Sequence, residues 1–580
     1  MSINTRTQRP GQDAAGPVDP RRWLALGVVL VAAFMLLIDI SIVNVAIPSI
    51  QRDLVASYAQ VQWVLAGYQL AFAVVLITGG RLGDIYGRKR LFLIGVSGFT
   101  VASALCGFAQ SPATLVASRV LQGVMGSLLF PQVFSIVQVS FPPRERNAAF
   151  GAIGAVIGLA TISGPLFGGL LIEGNLLNLG WRPIFLVNLP LGIIAVVAAA
   201  VLLRESRAER ALRLDPVGVA IASAGLLMLV YPLVQGRDLG WPLWTFVLLV
   251  ASVPVFALFT LWERRKTARD NSPLVVLALF RERGFVAGLL VSTIFFSGVA
   301  AFFLTFSLFL QIGLGFTALH AGLTTLPFSA GTALASAASV KLAPRFGRRV
   351  LSVGSLLLVV GMLGVMLTIN RYGTAIHSWQ LVPALVVCGL GLGTVIAPLV
   401  TVVLAGIQPQ NAGSASGVLA TTQQVGGAVG VAVIGVIFFG LLSTQSAASA
   451  AKVIPGIRGD LQATGLPAPV QEQVVAGFRT CFHDSATAKD PTVTPASCRR
   501  LQAQSPSQAG GLPPGARERI GQVAQSAAVT ARKDDFVTSI VRTLWYEVAV
   551  YVASFLLVFL LPRGPEGSRE EVAAAEAIAA

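Results

Sequence analysis

The chain has 580 residues, 54% of them hydrophobic and only 12% charged, with a formal net charge of +16. Charge-poor runs of about 20 residues, the length that crosses a hydrocarbon core of about 30 Å, recur along it. They are apolar nearly all round, which excludes a soluble protein of amphipathic helices, and they lack the roughly ten-residue alternation of a membrane β-barrel, so the expected class is an all-α polytopic membrane protein.

In chain order, a polar N-terminal tail (1–22) without a cleavable signal precedes six candidate spans at 23–47, 60–79, 91–109, 113–139, 148–172 and 183–203, an N-terminal six-helix bundle over 23–203. Two additional central helices are expected within 214–262, at 214–235 and 242–262. Spans at 284–310, 320–341, 350–370, 379–405 and 413–441 fill 284–441. A segment rich in Ala, Gln, Ser and Pro (442–540) follows, with one or two short helices expected, then a last span at 541–562 and a tail at 563–580. That makes fourteen spans.

The basic excess invites a nucleic-acid reading, and its distribution excludes it. With residue 1 inside, the short inner segments carry 26 Lys and Arg, and the short outer loops carry four: Arg52, Arg182, Arg237 and Arg371. This is the asymmetry that orients membrane proteins. It places both termini in the cytoplasm and the 442–540 segment outside, in a multi-pass plasma-membrane protein, with Ala- and Gly-rich usage pointing to a bacterial membrane. In an oxidising exterior Cys481 and Cys498 suit a disulfide; free thiols, or a metal site with His483 and Asp484, are the other readings.

An internal repeat organises the chain. RLGDIYGRKRL at 81–91 matches KLAPRFGRRVL at 341–351, and LQGVMGSLLFP at 121–131 matches CGLGLGTVIAP at 388–398, at offsets of 260 and 267. Spans two and four thus map onto spans ten and twelve. Parallel six-helix repeats point to a transporter that binds its substrate near the midplane between the halves.

Several stretches resemble the fourteen-helix drug:proton antiporters of the major facilitator superfamily. GGRLGDIYGRKR (79–90) resembles the cytoplasmic signature between helices two and three, LIDISIVNVAIP (37–48) the first-helix motif, and RVLQG (119–123) the fourth-helix Arg-x-x-Gln-Gly. GAVIGLATISGPLFGG (154–169) resembles the fifth-helix antiporter signature; WRPIFLVNLPLG (181–192) and SASGVLATTQQVGGAVG (414–430) also look typical. The resemblance implies two six-helix bundles plus two extra helices and proton-driven efflux of lipophilic small molecules by alternating access. It implies a cytoplasmic latch at Gly80, Asp84, Gly87, Arg88 and Lys89. It also implies an antiporter seal at Gly154, Gly158, Gly164, Pro165, Gly168 and Gly169.

The same residues have a physical reading. Asp39 stands inside the first span, where a carboxylate costs roughly 3 kcal/mol and is usually paired and functional. Counted from the span ends, Asp39 and Arg119 both lie roughly 10–14 Å deep, so each is the other's partner, as a structural ion pair or as a proton-coupling site. Asp84 stands where the dipole of the third span favours an acid. The small residues of the fifth span let backbones approach closely, and Pro165 permits a bend. Asn44, Gln69, Gln122, Gln311, Gln423 and Gln424 are candidate substrate-cavity groups. Glu173 and Asp215 fall at span ends, and Glu547, a turn or two inside the last span, is expected at the outer interface, leaving the second half without a deep carboxylate. Some dication exporters of the family carry one, so a dication preference is not expected.

An enzyme is not expected: the three histidines (His320, His377, His483) are not at metal spacing and no phosphate-binding Gly-x-x-x-x-Gly-Lys loop occurs. The expectation is a monomer without metal or cofactor, driven by the proton gradient. An exporter dedicated to one endogenous metabolite, peptide or lipid is the alternative, and a non-transporting membrane receptor the more distant one.

Overall fold

The computed structural model describes residues 20–207, 213–270, 272–404, 407, 412–463, 466–487, 494–503 and 516–561. The tails expected at 1–22 and 563–580 fall almost wholly outside them. The first half contains α1 (Arg22–Asp53), α2 (Tyr58–Tyr86), α3 (Arg88–Gly107), α4 (Pro112–Ser140) and α5 (Pro143–Glu173). Its sixth span is built from α6 (Pro183–Leu186) and α7 (Asn188–Leu202). The two extra helices are α8 (Pro216–Leu239) and α9 (Leu243–Asp270). The second half contains α10 (Arg283–Leu308), α11 (Ala318–Phe346), α12 (Arg348–Tyr372), α13 (Ser378–Leu404), α14 (Ala412–Gln462) and α17 (Ala516–Val558), with α15 (Ala468–Thr487) and α16 (Ala496–Ala503) between the last two. Twelve of the fourteen membrane-length segments are long and apolar enough to cross a bilayer over their described residues; α5 and α11 include residues whose side chains lie outside the described set.

Local chemistry sets the helix limits. Ser57 and Ser111 open α2 and α4 with reciprocal capping boxes to Gln60 and Thr114. Gly87 separates α2 from α3 at φ +115°, and Gly347 separates α11 from α12 at φ +51°, a backbone region that glycine enters without strain. These two glycines are the repeat partners, and each turn is tied to the last helix of its half. The Arg88 amide donates to the Ser206 carbonyl just past α7, while the Arg348 guanidinium donates to the Phe559 and Leu561 carbonyls just past α17.

The end of the molecule holding Arg22 is called here the terminal face, and the opposite end the head face. The contacts between halves gather toward the head face. Thr421 of α14 donates to the Ala73 carbonyl of α2, and Gly427 and Gly435 lie against Gln69 and Gln62. Ser307 and Gln311 donate to the Asn44 and Val45 carbonyls of α1, the latter from a π-helical turn at Phe309–Gly313. Helix α8 packs its Leu226, Val230 and Val234 beside the α2–α14 seam.

The 442–540 segment differs from expectation. Helices α14 and α17 do not stop at 441 and start at 541 but run on as unbroken helices of 51 and 43 residues. Both exceed the roughly 20 residues that span a bilayer. The extension of α14 is Ala-rich, a strong helix former, and its Ile454, Ile457 and Leu461 form an apolar stripe. The fall in hydropathy there marks the end of the apolar span, not the end of the helix. That stripe packs with Val474, Val475 and Phe478 of α15 and Ile520 and Ala527 of α17 into a small core, here called the head. A Cys481–Cys498 disulfide joins α15 to α16.

Candidate functional site

Asp39, on α1, and Arg119, on α4, are 0% and 1% exposed, and Arg119 Nη1 donates to Asp39 Oδ2 at 2.6 Å. The other carboxylate oxygen accepts from Gln122 Nε2 at 2.9 Å and from Asn188 Nδ2 at 3.0 Å. Arg119 also donates to Gln122 Oε1 at 2.7 Å and, through Nε, to the Val64 carbonyl of α2 at 3.2 Å. Asn188 reaches Ser103 of α3, which donates to the Phe185 carbonyl. The Tyr68 ring covers the guanidinium, its centroid 4.2 Å from the Arg119 Cζ atom, a cation–π contact. Groups from α1, α2, α4 and α7 thus satisfy one buried ion pair, as such a pair requires, with Ser103 of α3 behind Asn188.

This network revises one expectation and adds four groups. Gln122, expected in the substrate cavity, is buried and bound to Asp39. Asn188, Ser103, Tyr68 and the Val64 carbonyl lie outside the expected set, although Asn188 is the one polar side chain in the apolar run IFLVNLPLG.

A small cavity lies at the seam of the halves. Ser41, Asn44, Pro165, Phe306, Ser307 and Thr325 line it. Asn44 therefore faces the seam, and Gln311 borders a wider vestibule at the head face with Arg52, Glu173, Arg532 and Lys533. Gln69 lies against Gly427, and Gln423 and Gln424 are half-buried on α14.

The glycines of α5 seat two neighbours. Gly164 and Gly168 lie against Ser41, Ile42 and Val45 of α1, with 3.0 Å between a Cβ built at Gly168 and Ile42. On its other side Gly169 would put a Cβ 2.6 Å from the Leu319 Cα of α11, and Gly322 of α11 lies on the Pro165 carbonyl. Gly154 and Gly158 belong to the same helix, and their packing lies outside the described residues.

The α2–α3 turn is held differently from expectation. Asp84 pairs with Arg88 at 2.9 Å. The acid at the start of α3 is Glu205, from the segment after α7, which accepts from the Lys89 amide at 3.1 Å and faces Arg90 at 3.6 Å. A side chain at Gly87 would meet the Glu205 carboxylate. Gly80 rests on Pro131, and Lys89 Nζ donates to the Ala200 carbonyl. Arg81 donates to carbonyls of Arg213, Ser272, Pro273 and Leu274, so the segments flanking α8 and α9 grip this turn. Nearby, Arg22 bonds Glu145 and holds its carboxyl below the usual carboxylate range.

Glu547 is also placed differently. It is 0% exposed, inside the second half, and neither carboxyl oxygen has a hydrogen-bond partner among the described residues.

Comparison with known proteins gives a consistent picture. A sequence profile described as the Major Facilitator Superfamily matches residues 29–431. The chain is 44% identical to the "Probable actinorhodin transporter" of Streptomyces coelicolor over 97% of this chain and 95% of that protein. It is 38% identical to the "Tetracenomycin C resistance and export protein" of Streptomyces glaucescens, over 75% of this chain and 80% of that one. Its identity to the "Multidrug resistance protein Stp" of Mycobacterium tuberculosis is 34%, over 76% and 78%. Among solved structures, a bacterial homolog of the human lysosomal transporter Spinster, inward-facing and occupied, aligns with a TM-score of 0.58 at 16% identity, over 94% of this chain and 98% of that chain.

Proposed function

Because the chain belongs to the Major Facilitator Superfamily, we propose that it exports lipophilic small molecules, antibiotics among them, across the cytoplasmic membrane of a bacterium in exchange for protons. The observation that carries this reading is the buried network around Asp39. Both termini lie in the cytoplasm on this reading, by the 26-to-four distribution of basic residues, so the head face is external. The contacts of α1 with α10 and of α5 with α11 then close the outer side. Helix α1 holds Asp39 and also presents Ser41 and Asn44 to the seam cavity. A proton that loosens Arg119 from Asp39 therefore moves the same helix that a substrate touches, and this links the two fluxes. Asp84 and Arg88, with Gly87, act as a latch on the cytoplasmic side, and the α5 glycines as a seal between halves. Antiport needs no cofactor beyond the gradient, worth about 2.3 kcal/mol per proton for each 100 mV.

The test is efflux from everted vesicles with a panel of lipophilic cations, neutral antibiotics and zwitterions. Asp39→Asn keeps the shape and removes the titrating group. Uphill export is expected to stop, while exchange down a substrate gradient persists. Uphill transport at the wild-type rate with an unchanged pH profile makes Asp39 a structural residue.

A second reading is export of one endogenous metabolite. The match spanning 97% of the chain, head included, favours it, because the relative concerned is named for a single compound. Transport of one chemical class from the panel, with the others refused, would decide for it.

A further inference from the structure

Helix α17 turns a polar face into the second half. Asp535, Ser539, Thr543, Glu547, Tyr551 and Ser554 follow one another at spacings of four, four, four, four and three residues, and all six are buried. Residues so spaced share one side of a helix. From Asp535 to Ser554 the rise is about 28 Å, close to the thickness of a bilayer core. In a helix packed within a membrane bundle this side is ordinarily apolar or small.

Several polar atoms on this face are left over after packing, although the Thr543 hydroxyl donates to the Ser539 carbonyl. Ser554 Oγ and both Glu547 oxygens have no hydrogen-bond partner among the described residues, while the Ser539 hydroxyl lies toward the Asp535 carboxyl. On α10 and α12, which both pack against α17, the buried Ser292 Oγ and Ser355 Oγ are likewise unpartnered. Across from Glu547 stands Gly298 of α10, where a built Cβ would come within 3.1 Å of its Oε2 and of Tyr551. The titratable groups around Glu547 are Tyr546 and Tyr551 on its own helix and, beyond Tyr551, Cys388 on α13. No cation is paired with it among the described residues. Asp39, by contrast, accepts hydrogen bonds at both oxygens. A buried carboxyl without a cation or donor is tolerated as the neutral acid and not as the anion.

We propose that Glu547 is a second proton-binding group of the transporter, reached from the head face along this side of α17 and independent of the Asp39 site. The inference rests on the antiport reading above. Asp535 lies at the base of the head, where a proton enters. Ser539 and Thr543 stand between it and Glu547, each a helical turn, about 6 Å, from the next, a gap that one water bridges. The Thr543 hydroxyl turns from the Ser539 carbonyl to release its proton as it accepts another, and Ser539 likewise takes one proton and passes one on, so no charge is stored on the way and the proton comes to rest on a Glu547 oxygen. It leaves when the halves rearrange and the carboxyl meets solvent.

Two measurements test this. Dicyclohexylcarbodiimide, which attacks carboxyls in their protonated form from an apolar phase, is expected to modify Glu547 in wild-type vesicles, seen as a mass shift on its peptide; no modification at any pH between 5 and 8 overturns the proposal. Glu547→Gln, a neutral isostere, is expected to lower by one the protons moved per molecule of whichever panel compound the wild type transports fastest, with Glu547→Asp restoring the ratio and Thr543→Val slowing proton release about tenfold at an unchanged ratio. An unchanged ratio and pH profile in Glu547→Gln removes Glu547 from the mechanism and leaves antiport intact. A wild type that moves no protons removes antiport itself. Should Glu547→Gln fail to fold, the carbodiimide result decides.

Discussion

At the scale of single residues, the first half uses one charge pair and a shell of neutral donors. Asn188 is the donor with the most to lose. It alone reaches both Asp39 and Ser103. In Asn188→Ala the Asp39 oxygen keeps Gln122, while the Ser103 hydroxyl loses its second partner. The variant loses a buried hydrogen bond to a charged group, worth about 1.5–3 kcal/mol, so the detergent-solubilised protein is expected to melt several degrees lower and to transport with a shifted pH profile. A lower melting point with an unmoved profile would give Asn188 a packing role only. The pairing of Asp39 with Arg119 was legible because a charge inside an apolar run has few explanations. Asn188 and Ser103 were not, because neutral polar side chains are common in membrane helices and carry no such signal. Glu547 was misplaced for a different reason. Its depth was counted from a span thought to begin at 541, whereas α17 begins at Ala516, so the count started from the wrong end of a longer helix.

At the scale of elements, α5 decides whether the two halves can meet. One edge fits α1 and the other fits α11, and the fit on α11 depends on a missing Cβ at Gly169. Gly169→Leu is expected to hold the head-face seam apart. Steady-state efflux should fall about tenfold or more, since a displaced helix in a packed seam has no room to relax, and a passive proton leak should appear in reconstituted vesicles. A tight vesicle with normal efflux would show that the glycine is incidental. Helices α8 and α9 acquire a role that hydropathy could not reveal. The sequence marks them only as two further apolar runs, yet Arg81 binds the carbonyls around them. Hydrogen bonds to backbone carbonyls depend on the fold and leave no trace in side-chain pattern.

At the scale of the whole molecule, the all-helical membrane plan was legible, because helix length and apolarity are set by the bilayer. The head was not, since its helices are built from Ala, Gln and Ser and bury little. Its core is small, and the Cys481–Cys498 bridge closes a sequence separation of 17 residues. A loop of that size contributes about 3 kcal/mol in the chain-entropy view. Cys481→Ser with Cys498→Ser is therefore expected to raise amide exchange across α15 and α16 by roughly two orders of magnitude, while export rates stay within twofold. Unchanged exchange would mean that the head is held by its apolar core alone.

The unbroken course of α14 has a mechanical side. One continuous helix touches α2 at Thr421 and ends in the head at Gln462, so the head moves with the half to which α14 belongs. From Gly435 to Gln462 the arm is about 40 Å, and each degree of tilt swings its tip by about 0.7 Å. Rocking of the halves too slight to follow at the seam is thereby magnified outside the membrane. A pair of dyes, one on the head tip and one on the α3–α4 turn, would read the transport cycle as the swing of a pointer in a single living cell.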